Sequence, residues 1–160
     1  MADVGFTLRA AAMAALLAIG VGAAATATAQ DGAEAVKSRQ ALMKEIGANM
    51  KGVGDVVKGA SGETLDDLKR RAGEISAAAG KIPAAFDAEV HTDNAPAGVE
   101  TTAMPAIWTD RAKFEEAAKA LEAAAATLAG AADMDGARAA FPDVGRSCGA
   151  CHNAFRQKKS

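Results

Sequence analysis

Apolar side chains recur every three or four residues in four stretches of the chain, separated by segments that lack this period. The first stretch runs from about Gly32 to Lys58 and the second from about Leu65 to Ala79. The third begins near Thr109, and the fourth carries its apolar face from Ala137 to Phe155. This spacing is typical of amphipathic helices, and no segment alternates as a half-buried strand does. The pattern therefore predicts four helices.

Residues at the ends of these stretches predict where the helices begin and end. Gly59 and the Ser61-Gly62 pair favour the end of the first helix. Thr64 is a candidate N-cap for the second helix, because its hydroxyl can accept a hydrogen bond from the first turn. Pro142 predicts either a kink in the fourth helix or the start of its regular part.

The segment between the second and third helices breaks the helical pattern. It runs from Lys81 to Ala106 and contains Pro83, Pro96 and Pro105, with room for one helical turn near Ala84 to Phe86. We therefore expect an all-α fold, an antiparallel four-helix bundle with a long crossover between helices 2 and 3. Bundles of this kind place their cofactor sites between facing helices.

The start of the chain is typical of a secretory leader. Arg9 is followed by an uncharged run to Ala25 and then by the small residues of Ala27 to Ala29. A membrane-spanning anchor is the alternative, but the run is mostly alanine and therefore weakly apolar. We expect residues 1–29 to be a removed signal peptide and 30–160 to be one domain. The net charge of −2 does not favour binding to nucleic acid or to an anionic membrane.

The chemistry of the chain is concentrated in the sequence CGACH. Its two cysteines are Cys148 and Cys151, and His152 follows directly. C-x-x-C-H is the attachment motif of c-type haem, in which each cysteine forms a thioether and the histidine ligates the iron. Residues three apart lie on one face of a helix, so both sulfurs can reach one porphyrin. Haem would also fill the core of a chain with only 4% aromatic residues.

Three other uses of the cysteines fit the sequence less well. A disulfide would close a loop too short to stabilise much and would leave His152 without a role. A thioredoxin-like redox pair requires a βαβ setting, which the pattern does not contain. A zinc site requires four ligands, and the only further histidine is His91, in a polar segment typical of an exposed loop.

Three segments together resemble the class II cytochromes c, the cytochrome c prime family. They are SRQALM from Ser38 to Met43, IWTDRAKF from Ile107 to Phe114, and the C-terminal CGACHNAFR. They occur in the family's order and cover the predicted mature chain. The resemblance implies a four-helix bundle, one covalently bound haem c per chain, and a periplasmic location.

The resemblance also implies roles for individual residues. Arg39 and Gln40 match a pair that approaches the haem edge and its propionates, and Arg156 matches a basic residue that lines the proximal side. Met43 matches the residue over the distal face of the iron, whereas Trp108 matches a packing position. The segment LMKEIGANM, from Leu42 to Met50, is closer to the branch in which that methionine is the sixth, low-spin iron ligand.

These observations predict an exported monohaem cytochrome that transfers one electron, with His152 and Met43 as the two iron ligands. The alternative is a five-coordinate cytochrome c prime that binds nitric oxide or carbon monoxide under an uncoordinated methionine. No general base is evident, so we do not expect an enzyme. The expected partners are redox proteins, a diatomic gas in the alternative, and a second copy of the chain, since members of the family often pair through helices 1 and 2.

Overall fold

A computed structural model describes residues 20–158 and contains six helices. The helices are α1 (Gly20–Val57), α2 (Leu65–Ala79), α3 (Ile82–Ala85), α4 (Ala106–Thr109), α5 (Arg111–Ala129) and α6 (Met134–Phe155). The four long helices, α1, α2, α5 and α6, pack side by side as a bundle, and the described residues contain no β-strand. The predicted all-α four-helix bundle is confirmed.

The chain direction alternates between neighbouring helices. Gly54 of α1 lies against Phe141 of α6, whereas Met50 lies against Gly145. The sequence numbers therefore run in opposite directions along this pair, which makes α1 and α6 antiparallel. The long crossover between α2 and α5 contains the short helices α3 and α4, and α3 is the helical turn predicted near Ala84.

The beginning of α1 differs from the prediction. The helix is described from Gly20, although the apolar period favoured a start near Gly32. The alanine-rich segment before Gln30 has high helix propensity without needing an apolar face, which explains the difference. The predicted leader of residues 1–29 lies for the most part outside the described residues. Within residues 20–158, no helix is long and apolar enough to cross a membrane.

The two predicted helix ends around residue 60 are confirmed. Gly59 has a positive φ of 66° after α1, where the amides of Gly59 and Ala60 donate to the carbonyls of Val56 and Asp55. This pair of bonds is a Schellman motif, and a glycine carries its left-handed position without strain. Thr64 then caps α2 in a reciprocal capping box with Asp67.

Helix α6 continues through Pro142. Its N-cap is Asp133, whose side chain accepts a hydrogen bond of 2.8 Å from the amide of Gly136. The alternative that the regular helix starts at Pro142 is therefore wrong. The proline lacks an amide hydrogen, so the carbonyl of Arg138 loses one helical bond while the rest of α6 holds the segment in register.

The predicted apolar stripes form the core between the helices. The largest completely buried side chains come from all four long helices and are Val53, Leu68, Ile75, Leu128 and Val144. Many remaining core positions are alanine, whose small side chain lets helices pack closely. At one end of the bundle, the helices and the crossover surround a cavity.

Candidate haem-binding site

A cavity of about 980 Å³ lies between α1, the crossover and the C-terminal half of α6. Its volume is at the upper end of the range for cofactor sites. The α1 residues that line the cavity are Val36, Arg39, Gln40, Met43, Lys44, Ile46, Gly47 and Met50.

The haem motif forms the opposite wall of this cavity. Cys148, Cys151 and His152 all line it and belong to the regular part of α6. The two cysteines are half-buried, are not joined to each other, and pack against the edge of the core. Burial raises the pKa of both thiols, which keeps them protonated before attachment.

The imidazole of His152 is favoured in its neutral form. Its surface is exposed to solvent, yet the protein atoms around it still desolvate the ring. This desolvation lowers the pKa of His152, and the nearby charge of Arg156 lowers it further. Neutral imidazole is the form that ligates metals, so the local electrostatics suit an iron ligand.

The segment after His152 is fastened to the crossover, a feature that the sequence did not predict. The amide of Met104 donates to the carbonyl of Phe155 at 3.0 Å, and the amide of Gln157 donates to the carbonyl of Thr102 at 2.8 Å. These two bonds flank an isolated bridge between Ala103 and Arg156. The motif helix and the crossover wall are therefore held together at the cavity.

Arg39 is almost completely buried, with 3% of its surface exposed. Its guanidinium donates to the carbonyls of Ala85 at 2.9 Å and Val90 at 2.8 Å, and also to that of Ala88. A guanidinium has five N–H donors, so this network leaves two for another partner. Burial lowers the pKa of Arg39, although an arginine stays protonated in proteins.

The charge of Arg39 has no carboxylate partner among residues 31–158. The guanidinium carbon lies 4.7 Å from the ring centre of Phe86 and 5.3 Å from that of Trp108. Aromatic faces and carbonyls stabilise a cation, but a buried charge without a counterion is costly. Arg39 also lines the cavity, so an anionic group on a bound cofactor would satisfy it.

Gln40 and Arg156 lie at the mouth of the cavity and are exposed. The amide nitrogen of Gln40 donates to the carbonyl of Glu100 at 3.0 Å, which fastens the crossover to α1 a second time. Arg156 is the C-cap of α6 and makes no ion pair among the described residues. Their predicted contacts with haem remain predictions.

Met43 and Met50 line the same wall of the cavity, and both are half-buried. The methyl group of Met50 packs near Gly145, where an added Cβ would lie 3.8 Å away. Both thioethers are thus available to the cavity, and the sixth-ligand role of Met43 remains a prediction.

The expectation that His91 is an exposed loop histidine is wrong. Only 12% of its side chain is exposed, and its ring centre lies 5.6 Å from that of Trp108. Its Nδ1 accepts a hydrogen bond from the amide of Asp93, and Nε2 lies 3.5 Å from a carboxylate oxygen of Glu89. His91 packs on Trp108 and does not line the cavity.

Trp108 is a structural residue of the cavity end. Its indole nitrogen donates to the carbonyl of Phe86 at 2.9 Å. Phe86 in turn meets Phe114 edge-on at 5.1 Å, and Phe114 meets Phe155 at 5.3 Å. This aromatic cluster closes the inner end of the cavity with apolar surface.

Sequence reasoning missed the crossover wall of the cavity. Its lining residues are Thr92, Ala95, Val99, Glu100, Thr101, Thr102 and Ala103. These residues carry no period and no motif. The prolines around them indicate a loop but not what the loop covers, so the sequence offered no signal for their role.

The donor set and the cavity fit a covalently bound haem. Two thiols three residues apart and a neutral imidazole face an apolar space of sufficient volume, and a buried cation without a counterion lines the same space. The chain also matches the family model described as Cytochrome C' over residues 34–156. The chain belongs to the cytochrome c' family. Its cofactor is haem c.

Relatives of this cytochrome c' family member match most of its length. It is 32% identical to a cytochrome c' of Rhodopseudomonas palustris, with 96% of this chain and 99% of the relative covered. It is 34% identical to a cytochrome c-556 of Agrobacterium tumefaciens strain II Chrys, with 78% of this chain and 98% of the relative covered.

Solved structures of the family share the bundle. Cytochrome c' from Thermochromatium tepidum matches with a TM-score of 0.70 at 27% identity, covering 79% of this chain and 97% of that one. A nitric oxide complex of a variant of cytochrome c prime from Alcaligenes xylosoxidans matches with a TM-score of 0.66 at 33% identity. That match covers 80% of this chain and 97% of the solved one.

Proposed function

We propose that this c-type monohaem cytochrome binds a diatomic gas, nitric oxide or carbon monoxide, on the α1 side of its haem. The observation that carries the proposal is the apolar wall formed by Met43, Ile46 and Met50, opposite the motif that supplies His152. A relative at 33% identity has been solved as a nitric oxide complex.

In this proposal each residue of the motif has a separate task. Cys148 and Cys151 hold the haem by two thioethers, and His152 ligates the iron from the α6 side. Haem c would supply an iron that changes oxidation state by one electron and can accept a further ligand. The charge of Arg39 stabilises a propionate, and Arg156 lies on the His152 side.

The apolar wall of Met43, Ile46 and Met50 favours a ligand of low polarity. Nitric oxide and carbon monoxide are small and nearly apolar, so they enter a space lined by Met43 and Ile46 without leaving a polar group unpaired. The side chains of Met43, Ile46 and Met50 themselves offer water and anions no hydrogen-bond donor. The apolar wall therefore favours binding of the diatomic gas over binding of water.

The second candidate is an electron carrier in which Met43 is the sixth iron ligand. It is favoured by Met43 itself, which lines the cavity one helical turn after Arg39. A thioether in this position raises the reduction potential of haem iron and excludes other ligands. Both candidates use the same attachment residues, so the axial position alone distinguishes them.

The experiment that tests the proposal is the spectrum of the ferric holoprotein, followed by titration of the ferrous protein with carbon monoxide. The gas-binding function predicts a high-spin ferric spectrum and ready binding in the unmodified protein. A low-spin spectrum with a near-infrared methionine–iron band, lost in Met43→Ala and kept in Met50→Ala, would establish the electron carrier instead.

We also propose a cellular location and an oligomeric state for the protein. The predicted leader of residues 1–29 and the family relationship support a periplasmic protein. Pairing of two copies through α1 and α2 is the arrangement we propose for a dimer. Sedimentation of the holoprotein at two concentrations tests the dimer, and fractionation of expressing cells tests the location.

A further inference from the structure

A group of unpaired cations surrounds the mouth of the haem cavity. Lys44 and Arg156 line it and are exposed, and Lys158 follows on the exposed tail. None of these three residues, here called the basic rim, forms an ion pair within the described part of the chain. Glu100 is the acidic residue that lines the cavity among them.

The rim is held in place by the backbone. The amide of Gln157 donates to the carbonyl of Thr102, which fixes the tail that carries Arg156 and Lys158 against the crossover. Gln40, one turn before Lys44, fastens the crossover to α1. The three cations therefore belong to two segments, α1 and the tail after α6, and both segments are fastened to the crossover beside the opening.

The charge of the rim is opposite to that of the whole chain. The protein carries a net charge of −2, and many cations elsewhere are neutralised by acidic neighbours, as in the pairs Lys51–Asp55, Arg70–Glu74 and Arg111–Glu115. Propionates of the haem would offset part of the rim, but buried Arg39 offsets those propionates in turn. A positive mouth on a negative molecule gives an encounter a preferred orientation.

We propose that the basic rim docks an acidic redox protein that exchanges one electron with the haem. Opposite charges around the opening would raise the association rate and align the two redox centres. The electron leaves ferrous iron, which becomes ferric, and the oxidant is reduced by that electron without transfer of atoms or protons. The proposal rests on haem c in the cavity, and the electron-carrier function above requires such an exchange.

An anionic membrane surface is the competing occupant. Surfaces of this kind are typically recognised by clusters of four to eight cations. The rim has fewer described cations and includes Glu100, so it fits a compact acidic patch on a protein better.

The test is stopped-flow oxidation of the ferrous holoprotein by ferricyanide, an anion, and by tris(phenanthroline)cobalt(III), a cation. With ferricyanide the rate should fall as ionic strength rises, whereas with the cobalt complex it should stay level or rise. Lys44→Glu and Lys158→Glu should each slow the ferricyanide reaction about threefold or more at low ionic strength.

Lys58→Glu is the matched control. Lys58 is exposed and follows Lys44 by fourteen residues along the chain, about 21 Å at the helical rise. It changes the net charge by the same amount as Lys44→Glu, so its rate should stay near that of the unmodified protein. Equal slowing in all three variants would overturn the proposal, because the net charge would then account for the effect.

Two further measurements separate docking from other causes. At about 1 M ionic strength, where charges are screened within about 3 Å, the ferricyanide rates of all variants should converge. A difference that persists there would overturn the proposal in favour of an altered haem. With an oxidised blue-copper protein of negative net charge the variants should rank in the same order, and equal rates would overturn the docking of a protein.

Vesicles containing phosphatidylserine provide the last comparison. We expect the holoprotein to stay in solution when these vesicles are sedimented. Sedimentation that is lost in Lys44→Glu and kept in Lys58→Glu would assign the rim to a membrane surface instead. None of these results depends on whether Met43 ligates the iron, which the ferric spectrum reports separately.

Discussion

The Nη1 atom of Arg39 donates a hydrogen bond of 2.8 Å to the carbonyl oxygen of Val90, fifty-one residues further along the chain. Together with the bonds to Ala85 and Ala88, it fastens α1 to the crossover beside the haem cavity. One buried side chain therefore joins two walls of the site and places a positive charge between them.

Replacing Arg39 with lysine should destabilise the protein although it keeps the charge. A single ammonium group cannot reproduce a planar guanidinium that reaches three carbonyls. We expect the free energy of unfolding of the holoprotein to fall by about 2–4 kcal/mol, measured by urea denaturation. Arg70→Lys, on the exposed face of α2, is the control and should stay within about 0.5 kcal/mol.

The charge of Arg39 should also act on the reduction potential. A buried cation favours the ferrous form, so Arg39→Gln should lower the potential, whereas Arg39→Lys should lower it less. Redox titration with a set of mediators measures both variants. An unchanged potential in Arg39→Gln would mean that Arg39 holds the crossover in place but that its charge has no effect on the haem.

The haem should be attached through both cysteines of the motif. Acid–organic extraction should leave the haem on the chain, and the intact mass should exceed that of the polypeptide by one haem. Cys148→Ala should retain a single thioether. Extractable haem in the unmodified protein, or an apo mass with a disulfide, would contradict this prediction.

Acid should weaken the N-terminal end of α2 through Asp67. Hydrogen bonds from the backbone and side chain of Thr64, followed by the charge of Arg70, hold the pKa of Asp67 below its usual value. A carboxylate with a lowered pKa in the folded state stabilises that state above the ordinary aspartate range near about 4. This stabilisation disappears as the pH falls through the lowered pKa.

Asp67→Asn should therefore reduce the acid dependence of the unfolding free energy between about pH 5 and pH 2. Urea denaturation at a series of pH values measures it. Asp66→Asn, next to the capping box but outside it, is the control. If Asp67→Asn and the unmodified protein had the same pH dependence, the capping box would not lower the pKa of Asp67 relative to the unfolded chain.

Two helical glycines should respond differently to replacement by alanine. A Cβ on Gly73 of α2 would meet no atom within 4 Å, so Gly73→Ala should stabilise the protein by about 0.5–1 kcal/mol. A Cβ on Gly52 of α1 would lie 2.7 Å from Nε of Arg71, which would displace that side chain. Thermal unfolding of both variants should show a gain for Gly73→Ala and none for Gly52→Ala.

The sequence by itself determined the features that depend on short spacings. The apolar period gave the long helices, Thr64 and Gly59 marked two of their ends, and the C-x-x-C-H spacing indicated haem. These features are local because a helix repeats within four residues and a thioether pair needs residues three apart. The sequence left open whether Pro142 begins the regular helix or lies inside it, because the helical hydrogen bonds on both sides of the proline decide this.

Only the tertiary structure decided how the crossover takes part in the site. Arg39 binds three backbone carbonyls, and every residue has such a carbonyl whatever its side chain. No residue type around Val90 therefore indicated that this segment would be its partner. The same holds for the packing of His91 on Trp108 and for the bonds that join Thr102 and Met104 to the tail after His152. These contacts connect distant parts of the chain through shape and backbone geometry, neither of which a period or a motif encodes.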